Sequence, residues 1–304
     1  MSVKIDNYND AVHRNGVIAC LKRNYAWMNS VTDSQLYEWA KPFLTYSWKH
    51  ANVEENIPCL HGQVILNDDD DVVGYLGYIY SKKVINGKSL RYMTPTTWAI
   101  DEGYRVYLFK AFKLALRDID LAADFTARES VEEMLIKVFK FRYSNKLLCK
   151  FFPVPYIHKT NIILDKVNIS SEITDPLIRN EYEDHNEYNI QCVKISCLNN
   201  QKKFYVLYRL IKRKTKNIVK LPWIEILKVS DVALFSEYAH EIIWKLQFME
   251  VALLQCDRNF FSKKEIKHPL YKNSEVKRLF LNKTMYEFIP DFLYSEMAML
   301  QEKL

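Results

Sequence analysis

The fold prediction starts from one stretch of this 304-residue sequence: Thr96-Thr97-Trp98-Ala99-Ile100-Asp101-Glu102-Gly103-Tyr104-Arg105-Val106-Tyr107-Leu108-Phe109-Lys110. Upstream, side chains alternate at every second position from Leu90 to Ile100, which is the period of a pleated strand. Downstream, apolar residues recur at helical spacing. A strand that leads directly into a helix aims backbone N–H groups at one point, which suits a phosphate, and Arg105 adds a cation there. Alternatively, Tyr104-Arg105 is a surface turn before a buried helix.

The composition is that of an ordinary globular protein. Hydrophobic residues make up 49% of the chain and charged residues 26%. Only six glycines are present, which argues against a glycine-rich nucleotide-binding loop. A formal net charge of +6 favours anionic small ligands but falls short of a nucleic-acid-binding signature, so no nucleic-acid partner is predicted.

Targeting and metal-binding signals are absent from the sequence. The first residues contain no apolar core of a secretory signal, and no apolar run approaches the length of a membrane span. The six cysteines form no C-x-x-C pair, so they are interpreted as reduced thiols. The sequence therefore predicts a cytoplasmic protein without zinc or another bound metal.

The first half of the chain alternates helices and strands in a definite order. Two helices are predicted first, then a three-strand meander, the helix after Arg105, a short strand, a helix and a last strand. The corresponding ranges are 9–28, 33–44, 62–67, 72–80, 88–100, 105–117, 120–126, 131–139 and 146–152. We place the first domain at residues 1–155.

The second half, residues 156–304, repeats this pattern. Two strands lead to a third that contains Trp223, which is followed by a helix and a further strand. Such internal repetition indicates tandem copies of one fold. Ser230-Asp231-Val232 stands where the first half has its arginine turn, and Asp231 is predicted to be a helix N-cap.

This order of elements resembles the acyl-CoA N-acyltransferase (GNAT) superfamily. Arg105 matches the arginine of that family's Arg-x-x-Gly-x-Gly/Ala turn, although Leu108 and Lys110 stand at the glycine positions. The Tyr-Arg pair followed by bulky residues looks closer to bacterial sugar and polysaccharide acyltransferases. The resemblance implies an α/β (α+β) fold with two GNAT-like domains, each a mixed, mostly antiparallel sheet flanked by helices. The second, degenerate domain would complete the substrate cleft.

The resemblance also implies a site for acetyl-CoA or another acyl-CoA as co-substrate. Backbone groups of the fourth strand would bind the pantetheine, and the following turn would bind the pyrophosphate. The residues carried over are Trp98, Ala99 and Ile100 for the pantetheine, and Arg105, Val106, Tyr107, Leu108, Phe109 and Lys110 for the pyrophosphate.

Catalytic groups are less clearly marked. Many members of the family use a tyrosine in the helix after the fifth strand as general acid, but residues 131–138 contain none, and Tyr143 is the nearest substitute. Asp124, at the end of the fifth strand, is the first candidate for the base, with Thr96 or a water that it holds as the second. His61 could border the substrate cleft or be structural. Asp101 and Glu102 are interpreted as solvated turn residues.

These features predict an acyl-CoA-dependent N-acyltransferase, most simply an acetyltransferase. Its acceptor would be a small amine such as an amino sugar or a nucleotide-linked amino sugar. A non-catalytic GNAT-like protein that binds a ligand or partner is the alternative, because the glycines and the tyrosine are missing. A nucleic-acid or membrane-surface binder using the basic run Lys212–Lys216 is a third reading. The acyl group, the acceptor and the oligomeric state depend on distant loops and surfaces.

Overall fold

The chain folds into two compact units. The computed structural model describes residues 3–51, 61–154, 160–212, 222–261, 271–286 and 293–299. The first unit holds the described residues up to Ser144 together with those from Arg278 onward. The second unit holds those from Asn145 to Lys277. The basic run that suggested a nucleic-acid or membrane surface lies outside the described residues after Lys212.

The first unit is built on a sheet with helices against it. Its elements are β1 (Lys4–Asn7), α1 (Asp10–Asn24), α2 (Asp33–Leu44), β2 (Gly62–Leu66), β3 (Val72–Ile85), β4 (Lys88–Ile100), α3 (Arg105–Leu116), β5 (Leu121–Asp124), α4 (Glu129–Lys137), the end of β12 (Tyr271–Asn282) and α7 (Glu296–Met299). The strand order is β1-β2-β3-β4-β5-β12. All described pairings are antiparallel except that between β4 and β5, which the α3 crossover makes parallel.

Two packing arrangements hold the helices of this unit to the sheet. Phe112 of α3 and Leu135 of α4 belong to a buried cluster with Leu76, Tyr78 and other sheet residues. Helix α1 approaches β3 so closely that a Cβ at Gly16 would collide with the side chain of Val72. Helices α1 and α3 are therefore both positioned by packing against the sheet of the first unit.

The second unit repeats this plan. Its elements are β6 (Arg142–Phe151), β7 (Ile162–Val167), α5 (Pro176–Asp184), β8 (Ile190–Cys197), β9 (Lys203–Lys212), β10 (Pro222–Val229), α6 (Val232–Glu250) and β11 (Leu253–Asp257). The strand order is β6-β11-β10-β9-β8-β7, and β10 and β11 are the parallel pair. Helix α6 packs its apolar face on this sheet, and Asp231 caps it by accepting from the N–H of Leu234, as predicted.

Each unit completes its sheet with a strand from the other half of the sequence. In the second unit β6 pairs with β11 at Cys149 and Cys256, whereas in the first unit β12 pairs with β5 at Phe280 and Ala123. The domain boundary predicted after residue 155 would divide the chain into two consecutive halves. Most of β6 lies before that boundary but in the second unit, and the residues from Arg278 onward return to the first. The prediction of two tandem α/β units with mixed, mostly antiparallel sheets is confirmed.

Two kinds of feature are absent from the described residues. No helix among them combines the length and the apolar character needed to cross a bilayer. No group of three or more His, Cys, Asp or Glu side chains in the same ranges is arranged to hold a metal ion.

The returning strand gives a stability test of the first unit. Leu279 is buried in the same cluster as Phe112, so Leu279→Ala should lower the free energy of unfolding of the first unit by about 2–5 kcal/mol. Met285→Ala, at a side chain that is 99% exposed, is the control and should have no such effect. Native-state hydrogen exchange should show the loss in β4 and β5. Unchanged protection there would contradict the pairing of β12 with this unit.

Candidate functional site

The candidate site begins where β4 and β5 separate. The two strands pair only at Tyr92 with Leu121 and at Met93 with Ala122. Strand β4 then continues to Ile100 while β5 ends at Asp124. Within the described part of the chain, no strand pairs with the β5-facing edge of β4 after Met93. Backbone groups of β4 therefore border an opening in the sheet.

Pro95 explains why the pairing stops. The N–H of Asp120 donates to the carbonyl of Arg91 at 3.1 Å, so Arg91 faces β5. Because the facing residue recurs at every second position, Met93 and Pro95 also face β5. Proline has no N–H to donate, so the parallel ladder ends at this position. Sequence analysis overlooked this residue, although a proline inside a strand pattern is a recognised signal for an edge.

A β-bulge then changes which residues face the opening. Leu76 lies opposite Trp98 and Tyr78 lies opposite Pro95, which leaves two residues of β4 opposite Gly77 alone. The N–H of Asp101 donates to the carbonyl of Val73 at 2.9 Å. By the same two-residue alternation, Ala99 directs its backbone groups toward β3. Trp98 and Ile100 direct theirs toward the open edge.

The opening leads to the start of α3. No side chain caps the amides of its first turn, and Arg105 is 69% exposed, with Glu102 3.9 Å away. Leu108 packs into the core, and the ring of Phe109 lies 6.5 Å from that of Phe139. Three further residues were predicted to bind the pyrophosphate. Val106 and Lys110 lie on the surface, and Tyr107 lies at the edge of the core. A 3₁₀ turn, Glu102–Tyr104, leads directly into α3, and the N–H of Arg105 donates to the carbonyl of Glu102. The guanidinium of Arg105 and the helix dipole are favourable to an anion at this point.

The equivalent helix in the second unit differs. The carboxylate of Asp231 accepts from the N–H of Leu234 at 2.9 Å and so occupies the N-terminus of α6. A negative side chain at that point competes with a phosphate for the same amides. Of these two helices, α3 has the start that is open to an anion.

Thr96 and Trp98, which lie at the bulge, each have a buried polar atom without a hydrogen-bond partner. The hydroxyl oxygen of Thr96 is buried without a hydrogen-bond partner, and a Cβ at Gly77 would collide with it. The indole of Trp98 packs edge-on against Phe112 at 4.8 Å, and its Nε1 also lacks a partner. Buried polar atoms are normally satisfied, so the unpaired hydroxyl of Thr96 is a natural contact for a ligand or a water.

Asp124 ends β5 as a buried carboxylate. Its Oδ1 accepts from the N–H of Thr126 at 2.9 Å, and burial raises its pKa to about 6. The same turn recurs in the second unit, where Asp257 ends β11 and accepts from the N–H of Asn259 at 2.9 Å. The recurrence shows that the carboxylate shapes this turn whether or not it has a further role.

Tyr143 and His61 have local partners of their own. The exposed hydroxyl of Tyr143 donates to Glu132 of α4, and this bond raises the pKa of Tyr143. Nε2 of His61 lies 2.8 Å from the carbonyl of Tyr46, and burial lowers the pKa of His61. Tyr143 is thus bound at the surface of α4, while Asp124 is buried at the end of β5.

The end of α1 is attached to the end of β4. Asp101 is not the solvated turn residue that the sequence suggested, because it accepts from Arg23 Nη2 at 2.8 Å and from Asn24 Nδ2 at 2.9 Å. The next residue, Tyr25, donates its hydroxyl to the carbonyl of Trp98. The guanidinium of Arg128, the residue that precedes α4, lies 4.7 Å from the centre of the Tyr25 ring. No sequence motif marked Tyr25, since its contact joins residues far apart in the chain.

Comparisons with known proteins identify the fold. No protein-family model matches the sequence, and no curated protein is significantly similar to it. A protein of unknown function from Enterococcus faecalis V583, described as a probable N-acyltransferase, superposes with a TM-score of 0.58 at 9% identity, over 93% of this chain and 73% of that one. A GCN5-related N-acetyltransferase from Anabaena variabilis gives 0.54 at 11% identity, over 93% and 73%.

A third similar structure belongs to a larger protein. It contains a GCN5-related glucosamine N-acetyltransferase region of a fungal multi-domain β-N-acetylglucosaminidase, with a TM-score of 0.54 at 11% identity. The match covers 92% of this chain but only 38% of the fungal one. Together these structures show that the chain has the fold of GCN5-related N-acetyltransferases, in agreement with the expected resemblance.

The raised pKa of Asp124 gives a test by pH. Its carboxylate is less favourable in the folded than in the unfolded chain, so it lowers stability above about pH 6, and this penalty disappears as the pH falls toward its ordinary pKa of 3.8. Asp124→Asn should therefore raise the free energy of unfolding at pH 8 by up to about 3 kcal/mol, with little effect near pH 4.

Thermal melts across this pH range measure the effect, and Asp124→Ala is the matched control. Alanine removes the charge and also the acceptor for the N–H of Thr126, so it should gain less stability than asparagine. A stability difference between Asp124→Asn and the unmodified protein that does not vary with pH would refute the raised pKa.

Proposed function

We propose that this chain, which has the GNAT fold, is an acyl-CoA-dependent N-acyltransferase that transfers an acyl group, most simply acetyl, to a small amine. One observation carries the proposal. An unpaired backbone edge of β4 leads to the uncapped start of α3 beside Arg105. Backbone hydrogen-bonding groups and an anion site thus follow each other along one strand and turn.

This arrangement suits the two chemically different parts of an acyl-CoA. The pantetheine arm is extended and carries amides, so it can bind to a strand edge as an added strand would. The groups that face the open edge are the backbone N–H and C=O of Ile100 and the N–H of Trp98, while the carbonyl of Trp98 accepts from the hydroxyl of Tyr25. The pyrophosphate would then meet the first turn of α3, where the helix dipole and Arg105 favour negative charge.

The reaction requires little chemistry from the protein. The amine nitrogen attacks the thioester carbonyl carbon, an amide C–N bond forms, the C–S bond breaks, and the thiolate leaves. One proton must leave the nitrogen and one must reach the sulfur. Asp124, with a pKa of about 6, would be ionised at neutral pH and able to accept the first. The unpaired hydroxyl of Thr96 could hold the acceptor or a water.

Small amino sugars are the acceptors that we propose to test first. The support is the similar fungal region, which is described as a glucosamine N-acetyltransferase. We extend the proposal to nucleotide-linked amino sugars because the chain has a positive net charge. A cytoplasmic location fits an acyl-CoA-dependent reaction and belongs to the same proposal.

Non-catalytic ligand binding is the second candidate function. Two observations favour it: the residues of α4 include no tyrosine, and the turn made by Asp124 recurs at Asp257. In that case the acyl carrier would bind without turnover. Measuring binding and reaction on the same protein separates the two functions.

Arg105 provides the binding test. Arg105→Ala should weaken acetyl-CoA binding about 10-fold in isothermal titration calorimetry, because it removes a charge-assisted contact from an exposed site. Arg117→Ala is the matched control, since Arg117 lies at the other end of α3 and is 66% exposed, close to the 69% of Arg105. Equal loss in both variants would indicate a general charge effect. No binding by the unmodified protein at millimolar acetyl-CoA would overturn the proposal.

Turnover is tested by thiol release from acetyl-CoA with a panel of amines, led by glucosamine. Acetylation of any acceptor, confirmed by mass spectrometry of the product, establishes transfer. Binding of acetyl-CoA without product from any amine would favour the non-catalytic function. Mass spectrometry of the purified protein for a co-purified CoA species gives an independent measurement.

A further inference from the structure

Tyr25 lies across the opening between β4 and β5. Its hydroxyl donates to the carbonyl of Trp98, a residue whose backbone groups face the open edge. Its ring is half-buried and lies 4.7 Å from the guanidinium of Arg128, which immediately precedes α4. The side chain therefore reaches from the end of α1 over the backbone of β4 and contacts the start of α4.

The residues before Tyr25 fix where its side chain can reach. Arg23 binds Asp101 and also donates to the carbonyl of Val72 at 2.8 Å, and Asn24 binds Asp101 as well. Two consecutive side chains thus hold the end of α1 to the end of β4. Tyr25 itself comes after the helix, with extended backbone angles of φ −127° and ψ 99°. Its side chain can change rotamer without unwinding α1 or breaking the contacts of Asp101.

The contact made by Tyr25 competes with binding to the edge of β4. An extended ligand that carries amides would donate an N–H to the carbonyl of Trp98, which Tyr25 already uses. A carbonyl can accept two hydrogen bonds, but the hydroxyl of Tyr25 and an added strand would approach the carbonyl of Trp98 from the same open edge. Tyr25 and an extended ligand are therefore alternative partners for the carbonyl of Trp98.

We propose that Tyr25 closes this edge in the free protein and that an acyl carrier binds only after the hydroxyl has left the carbonyl of Trp98. The inference rests on the proposed function for the identity of the carrier. It adds a residue that sets carrier affinity, located on α1 outside the strand and turn described above. Arg128 holds the closed position through its contact with the ring.

Removal of the hydroxyl should strengthen carrier binding. Tyr25→Phe loses the hydrogen bond that the free protein must give up, so its Kd for acetyl-CoA should fall about 2- to 10-fold. Tyr37→Phe is a matched control, because the hydroxyl of Tyr37 donates to Asp10 at 3.1 Å and the Arg14 guanidinium lies 4.2 Å from its ring. The control variant should bind as the unmodified protein does. An unchanged or weaker affinity for Tyr25→Phe would overturn the inference.

A second measurement needs no ligand. The amides of Trp98 and Ile100 face the open edge and have no strand partner there among the described residues. If Tyr25 closes this edge, its side chain shields them from water. In Tyr25→Ala they should exchange with deuterium at least several-fold faster, while Ala99, which faces β3, serves as internal reference. Tyr37→Ala should leave the exchange of Trp98 and Ile100 unchanged.

The two measurements separate the possible failures. Faster exchange in Tyr25→Ala with no acetyl-CoA binding by any variant would retain the closed edge and overturn the proposed function. Unchanged exchange at Trp98 and Ile100 would overturn the closed edge, whether or not acetyl-CoA binds. Tighter binding by Tyr25→Phe together with faster exchange in Tyr25→Ala supports both.

Discussion

Pro95 removes one hydrogen-bond donor from the edge of β4 that faces β5, and the candidate site depends on that missing donor. Parallel strands are held by evenly spaced N–H to carbonyl bonds, so a proline at a facing position ends the ladder. Here the last described pair is Met93 with Ala122. The strands can then separate without leaving an N–H unpaired at position 95. The opening is therefore a consequence of the covalent structure of Pro95, which has no N–H, as well as of packing.

The bulge opposite Gly77 determines which backbone groups of β4 face the opening. With one extra residue in β4, Trp98 and Ile100 face the opening, whereas Ala99 faces β3. Glycine is required at position 77 because any side chain would meet the hydroxyl of Thr96. The bulge also leaves that hydroxyl buried without a hydrogen-bond partner in the described part of the chain. Strand geometry and an unsatisfied polar group thus occur together at the proposed site of reaction.

Comparison of the two units separates what the scaffold needs from what a ligand would need. Both units have a short parallel strand pair, an irregular position in the strand before the helix, and an aspartate that ends the next strand. These shared features belong to the scaffold, and the turn made by Asp124 is one of them. The helix starts differ, because the side chain of Asp231 caps α6, whereas α3 follows the 3₁₀ turn Glu102–Tyr104 and has no side-chain cap. The features proposed to bind an anion are thus specific to the first unit, which also has the open edge bordered by Tyr25.

The sequence alone was sufficient to predict most of the helices and strands, the tandem repetition, the strand-turn-helix around Arg105 and the cap at Asp231. Each of these depends on residues close together in the chain, where periodicity and capping preferences operate. Pro95 was also visible in the sequence, but its effect depends on the direction in which its missing N–H would point. That direction follows only from the register with β5.

The remaining features of the site could not be predicted from the sequence. The exchange of β6 and β12 between the units and the contact of Tyr25 with Trp98 join residues far apart in sequence. Local patterns specify neither, because the sequence of a strand does not identify the strand that it pairs with, and one tyrosine resembles another until a carbonyl lies within its reach. The raised pKa of Asp124 likewise arises from burial by distant residues, which no local motif encodes.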